Sequence, residues 1–330
     1  AERAGWRAPD DARVTHADVT AAYRLFLNRE PDPDGWRNFS AMVGKADVTE
    51  LATCFVSSEE FRRSPVYAGI ARTEHSELTV LPVASGMRLA VSPHDVLYLP
   101  LLESGQYEVH VAAALDETLR LGMTVCCVGA NIGYHALRAA RSVGSTGKVV
   151  AFEARPATAD LLRRNALLNG LGNVVVLPLA VADRFATYEY VLAQGTNGYI
   201  RPVSGEGAEL APEATAIQAV PLDALANVLS PLDVLQMDVE GAEGLVVNGA
   251  LDLLRAHRPR IFSELCLGQL ERTSSMSGED LLGILAALSY RFTALGFDGA
   301  RFSFGAEVAA VLRHARSQPT SHIDLLCEPG

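Results

Sequence analysis

The chain has 330 residues, 49% of them hydrophobic and 20% charged, the balance of a globular protein with room for two domains rather than of a disordered one. A formal net charge of −11 argues against nucleic acid as a partner, because that binding relies on Lys and Arg to neutralise phosphates. No run approaches 18 apolar residues, so no membrane span is expected. The opening AERAGWRAPDD has no apolar core and does not read as a signal peptide. The five cysteines, Cys54, Cys126, Cys127, Cys266 and Cys327, are odd in number and lack C-x-x-C spacing, which suits a reducing cytoplasm and disfavours zinc.

Residues 13–64 read as a helical unit. Asp18 to Leu27 carries Val19, Ala22, Tyr23 and Phe26 on one face. The turn formers of Asn28 to Gly35 follow, then helices at 36–43 and 48–55 and a capping box, Ser57 to Glu60, for a fourth. LNREPDPDGW and FVSSEEFR resemble a small helical domain of uncharacterised function that recurs in bacterial surface- and glycan-related proteins. The expected division is 1–75, helical domain plus linker, and 76–330, a larger domain. That domain opens with a hairpin over 77–83 and 87–91, a helix starting at 92–95 and an amphipathic helix over 107–121.

Residues 123–153, MTVCCVGANIGYHALRAARSVGSTGKVVAFE, organise the rest of the chain. Val125 to Val128 is a short apolar run suited to a strand buried on both faces. Gly129 to Gly133 turns the chain into a helix over 134–142, and Val149 to Phe152 is a second buried strand ending on Glu153. A nucleoside lying across the first strand needs close backbone approach, which Gly129 and Gly133 allow, and Asn131 tolerates positive φ. Glu153 stands 24 residues after Gly129, near the spacing of an acid that binds ribose hydroxyls. Asn131 and Tyr134 replace the later glycines of the dinucleotide fingerprint, so the loop favours S-adenosylmethionine, which has no pyrophosphate, over NAD.

Strands and helices keep alternating: a helix over 157–168, strands over 174–177 and 234–237, one long helix over 242–254, a strand over 260–263 ending on Glu264, a helix over 278–289, and a terminal antiparallel pairing of 290–304 with 322–328. Between them, 186–222 reads as strands and loops with a soft centre. The fold class is α/β: a doubly wound, mostly parallel seven-stranded sheet preceded by the small all-helical domain.

The strings VGANIGYHALRAARSVGSTGKVVAFEARP, NALLNGLGNVVVLPLAVAD, PLDAL, LQMDVEGAEGLVVNGALDLL, RPRIFSEL and HIDLLCEP, with SGQYEVHV upstream, resemble in order the FkbM-type S-adenosylmethionine-dependent methyltransferases over about residues 86–330. The resemblance implies methylation of hydroxyls on macrolides, sugars or glycolipids. Two positions depart from it: Cys127 stands where the family has Asp, which helps order the methionine end of the cofactor, and Glu153-Ala-Arg-Pro156 replaces Glu-Pro-x-Pro.

Methyl transfer to oxygen needs alignment, exclusion of water, and a base or metal for the hydroxyl. Asp238 and Glu264 end neighbouring strands, so Asp238 is a candidate base or orienting group, or the two together ligate Mg²⁺. His135, at the start of the helix after the glycine loop, is a second candidate base. Glu240 is a candidate acid at the substrate, Asn197 a substrate contact, Glu108 a contact to the methionine end, and Ala180 a lining for adenine. His110, His257, His314 and His322 are expected in structural or surface roles. The expected partner is a small-molecule or glycan acceptor with a free hydroxyl, and a homodimer is left open. An NAD-dependent oxidoreductase and a cofactor-binding pseudo-enzyme are the alternatives.

Overall fold

Three segments are apolar along nearly their whole length, so they form strands covered on both faces: β3 (Thr124–Val128), β4 (Lys148–Phe152) and β10 (Val234–Met237). They lie at the centre of a mixed sheet in this computed structural model, which describes residues 13–46, 50–51, 54–55, 58, 60, 78–194, 197–203, 215–319 and 322–330. The expected linker at 65–76, most of the helices expected at 48–55 and 57–60, and residues 195–196 and 204–214 of the soft segment lie outside that set.

The main sheet has eight strands in the order β13-β12-β14-β11-β10-β3-β4-β5. The five strands from β11 (Arg260–Cys266) to β5 (Val174–Leu177) run parallel. β14 (His322–Pro329) is antiparallel to both β11 and β12 (Tyr290–Leu295), and β13 (Arg301–Gly305) is an edge strand beyond the seven expected. Side chains alternate between two cores: Val125 and Cys127 join one with the hairpin β1 (Thr79–Pro82) and β2 (Arg88–Val91), and Cys126 and Val128 join the other. Adjacent Cys126 and Cys127 therefore face opposite ways, and burial raises both thiol pKa values.

The remaining expected elements form with shifts that have local causes. α1 (His16–Ala22) continues as a π-helical turn over Tyr23–Leu27, and α2 (Pro33–Ser40) starts ahead of the expected Trp36 because Asp32 caps Gly35 N at 2.7 Å and Pro33 fits the first turn. α3 (Tyr98–Ser104) begins beyond Asp95, whose Oδ1 accepts from Leu97 N in a turn. α4 (Val109–Thr118), α5 (Tyr134–Val143) and α6 (Pro156–Leu168) fall as expected. The helix expected over 242–254 is two, α8 (Glu243–Asn248) and α9 (Leu251–His257), preceded by the short α7 (Ala226–Leu229). At the break Gly249 packs on Ala182, whose carbonyl oxygen would lie 2.1 Å from a Cβ there. α10 (Leu267–Ser274) and α12 (Val308–Ser317) flank α11 (Gly278–Ala287) where no helix was expected. β11 runs two residues past Glu264, because His322 pairs beside Cys266, so Glu264 sits inside a strand and not at its end.

Among the described residues of 186–222, β7 (Ala186–Gln194), β8 (Asn197–Pro202) and β9 (Thr215–Val220) form an antiparallel sheet, with β6 (Ala180–Val181) parallel to β9. The N-terminal helices have their own aromatic core, with Tyr23, Phe26 and Phe55 buried together. They lie against α6 and the edge strand β5, where buried Arg163 donates to Val176 O at 2.9 Å and approaches Asn28 Oδ1 at 3.4 Å. No helix among the described residues is long and apolar enough to cross a membrane.

One buried side chain ties hairpin to sheet. Asn165, fully buried, accepts from Ala90 N at 2.7 Å and donates to Ala90 O at 3.1 Å and Ile132 O at 2.9 Å. Asn165→Ala leaves all three backbone groups without that partner and is expected to destabilise the protein by about 2–4 kcal/mol, measured by urea unfolding at constant m-value.

Candidate active site

The carboxyl ends of the parallel strands are where an open α/β sheet leaves a crevice. A cavity of about 910 Å³, counted to its open mouth, lies there. Its wall includes Glu108, Gly129, Asn131, His135, Glu153, Ala180, Asn197, Asp238 and Glu240, nine of the residues singled out in the sequence.

The glycine loop forms its floor. Gly129 and Ala130 donate to Phe152 O at 3.0 and 2.9 Å, which holds the loop on the tip of β4. Gly129 has φ +76, and a Cβ there would lie 1.8 Å from Asp238 O, so a side chain has no place. Asn131 adopts φ +47, accepts from Ile132 N at 2.8 Å and donates to Asn197 Oδ1 at 2.8 Å, tying the loop to β8. Gly133 does not line the cavity; at φ +103, with Leu162 Cδ1 only 2.1 Å from where a Cβ would stand, it serves helix packing instead.

Glu153 is buried at the end of β4. Its oxygens accept from Asn131 N at 3.0 Å and Arg155 N at 2.9 Å. Burial pushes its pKa up to about 7 despite those bonds. Ala180 contributes a small buried wall opposite.

Across the cavity, Glu108 sits at the start of α4 in left-handed backbone, φ +43, and its Oε2 is 2.8 Å from His135 Nε2. His135 Nδ1 is buried with no hydrogen-bond partner among the described residues. Tyr134, which the dinucleotide fingerprint would not tolerate, accepts from Tyr107 N at 3.0 Å.

Asp238 and Glu264 do come near one another, close enough that each influences the other's ionisation. Burial first, then neighbouring carboxylates, raises both pKa values, so the pair retains a proton near neutral pH. Glu264 faces an adjoining cavity of about 280 Å³ that shares Glu108, Gln236 and Asp238 with the first. The Mg²⁺ expectation finds no support in this donor set: among the described residues no group of three or more His, Cys, Asp or Glu could hold a metal ion. Glu240, at φ +53, accepts from Gln269 Nε2 at 2.7 Å and Asn197 Nδ2 at 3.5 Å, so it braces β8 against α10.

Sequence spacing missed three groups. Glu243, fully buried, accepts from Val239 N at 3.1 Å and Gly241 N at 3.4 Å, folding the loop after β10 on itself. His110 and His322 were expected to be structural or superficial, yet both flank Asp324 beside Glu264: His110 Nε2 is 2.6 Å from Asp324, and His322 Nε2 is 3.1 Å from Glu264 and 3.9 Å from Asp324. Burial would raise Asp324, but the two imidazoles outweigh it and hold the carboxyl low; Asp324 in turn raises His322. The pairing of β14 with β11 brings His322 and Asp324 to Glu264, and α4 supplies His110, so no local pattern announces them. His257 meets Ser230 at 2.9 Å near the surface and His314 packs on Phe302 and Phe304, as structural roles require. Cys127 is buried in the apolar core and does not line the cavity.

Residues 128–292, half of the chain, match the Methyltransferase FkbM domain. The chain belongs to this family. It is also 39% identical over 82 residues to protein-L-isoaspartate O-methyltransferase 1 of Archaeoglobus fulgidus, a match covering 24% of this chain and 37% of that protein, so the chain spans little more than a third of that relative's length. Among solved structures it is similar to an FkbM methyltransferase from Methylobacillus flagellatus KT (14% identity, TM-score 0.39, 94% of this chain and 58% of that one). It is similar too to an O-methyltransferase from Bacillus cereus in complex with SAH (18% identity, TM-score 0.36, 72% and 84%).

The FkbM family implies S-adenosylmethionine, and the cavity fits it. The space a Cβ of Gly129 would need is closed by Asp238 O, leaving bare backbone on the floor, and the Glu153 carboxyl stands at the strand tip where a diol would be bound.

Glu153 gives this site a pH signature. Its folded-state pKa lies above the unfolded value of 4.5, so its contribution to stability is complete below about 4.5 and is lost as pH rises through about 7. Glu153→Gln lacks that loss. The stability of the variant relative to wild type is expected to rise by roughly 3 kcal/mol from pH 4 to pH 8 in urea melts at fixed ionic strength.

Proposed function

We propose that this FkbM-family protein transfers a methyl group from S-adenosylmethionine to a hydroxyl of a sugar, glycolipid or glycosylated metabolite. The observation that carries the reading is His135. Its Nε2 is tied to Glu108 and its Nδ1 is buried without a partner among the described residues, in the wall of the cavity that also holds Gly129 and Glu153.

In this reading Glu153 takes the ribose hydroxyls, the backbone of Gly129 and Asn131 supports the nucleoside, Ala180 leaves room for the base, and Glu108 faces the amino-acid end. When bound, the cofactor supplies an electrophilic methyl on a sulfonium. The chain supplies the base and the surroundings. A carboxylate at Nε2 keeps the proton on that nitrogen, so Nδ1 is left as a lone-pair acceptor for the hydroxyl proton. Glu108 then steadies the imidazolium that forms. The Asp238–Glu264 pair, holding a proton, both donates to and accepts from acceptor hydroxyls. Asn197, bridging Asn131 and Glu240, closes the cavity on the β8 side and keeps water out. Residues 1–75 are proposed as a separate helical domain, placed beside the catalytic one for glycan-associated work.

NAD is disfavoured by Asn131 and Tyr134, which stand where the dinucleotide fingerprint has its later glycines. Calorimetric titration is expected to show S-adenosylhomocysteine binding and no NAD binding; the reverse result would overturn the reading. With labelled methyl donor and a glycoside acceptor panel, His135→Ala is expected to lower kcat by roughly 10²–10⁴-fold with little change in S-adenosylhomocysteine affinity. Full turnover in that variant would remove His135 as the base.

A further inference from the structure

We propose that Phe297 is the stacking platform of the acceptor subsite, receiving the apolar face of a pyranose ring whose hydroxyls reach into the adjoining cavity toward Asp238 and Glu264. The inference deepens the hydroxyl-acceptor reading above and rests on it. Phe297 is 70% exposed, an unusual state for a ring beside a buried polar cluster. It stands at the carboxyl end of β12, on the same end of the sheet as the main cavity.

The ring is held in place. Gly296 N donates to Ala300 O at 2.8 Å, Gly299 N to Gly296 O at 2.8 Å, and Ala300 N to Asp298 Oδ1 at 2.9 Å, so the turn that carries it is closed by three bonds. His110 meets the ring edge-to-face at 4.6 Å between centroids and His322 at 6.0 Å. Those imidazoles are fixed by Asp324 and Glu264. The aromatic is thus anchored by two imidazoles that are themselves held by Asp324 and Glu264 of the smaller cavity's wall, with most of its surface left open.

The wall behind it selects the ligand class. The smaller cavity presents Glu108, Gln236, Asp238, Ser263, Glu264 and Asp324, a surface that hydrogen-bonds to hydroxyls, and it admits a hydroxyl rather than a whole ring, which stays outside on the platform. A pyranose offers both surfaces: a face of C–H bonds, whose slightly positive hydrogens suit the negative face of an aromatic ring, and a rim of hydroxyls. A flat aromatic acceptor would stack equally well but would leave those polar groups buried without partners. From the platform, His322, Glu264 and Asp238 lead to the cavity wall where His135 awaits the hydroxyl.

Phe297→Trp keeps an aromatic platform and makes it report its own burial. Titration with methyl α- and β-glycosides of hexoses and deoxyhexoses, in the presence of S-adenosylhomocysteine, is expected to give a saturable blue shift of emission for at least one glycoside. Wild type gives the background of Trp6 and Trp36. For that glycoside, Phe297→Ala is expected to weaken calorimetric affinity on the order of tenfold, while S-adenosylhomocysteine titration reports an intact cofactor cavity. No saturable shift with any glycoside, an equal shift with phenol, or equal glycoside affinity in Phe297→Ala and wild type would overturn the proposal. Glycoside binding without methyl transfer would uphold the subsite and count against the transferase reading, so the two fail separately.

Discussion

The tightest constraint at the site is backbone against backbone: Gly129 passes so near the carbonyl oxygen of Asp238 that a single methyl group would overlap it. That approach joins the tips of β3 and β10, the two central strands. Because of it, the glycine loop and the strand end that carries Asp238 line the same cavity. Everything else at the site is arranged around this junction. Phe152 O receives two loop N–H groups, Glu153 receives a third from Asn131, and Asn131 reaches over to β8.

A cavity built this way gathers carboxyl groups where water is scarce. Asp238, Glu264, Glu153 and Glu243 are all pushed toward their neutral forms, chiefly by burial. Asp324, beside them, is held low, because His110 and His322 compensate it. The result is a graded wall, with neutral, proton-bearing carboxyls next to one ionised carboxylate and two imidazoles.

Much of the fold and of the cofactor side was legible in the chain because both are local. β3, the glycine loop, α5 and Glu153 lie within one crossover, and their placement follows from spacing. Half of the acceptor side was legible too: Asp238 and Glu264 end or interrupt apolar runs. The hidden part was their partnership with His322, Asp324 and Phe297, which arrive from a strand and a turn more than thirty residues away and meet β11 only through antiparallel pairing. Gly133 escaped for a related reason, since it accommodates Leu162, on a helix whose packing no motif records. The division of 242–254 into two helices likewise depends on Ala182 pressing on Gly249.

The covering of β5 has a consequence for how the chain can be divided. An edge strand exposes a row of unused backbone groups that another chain can extend. Here Arg163 occupies the outward carbonyl of Val176 and reaches Asn28, while the first helices lie alongside. The sequence suggests a seam near residue 75, but physically the helical unit is a guard on the open flank of the sheet. Severed there, the larger portion would keep its pocket and lose its protection against strand-to-strand self-association.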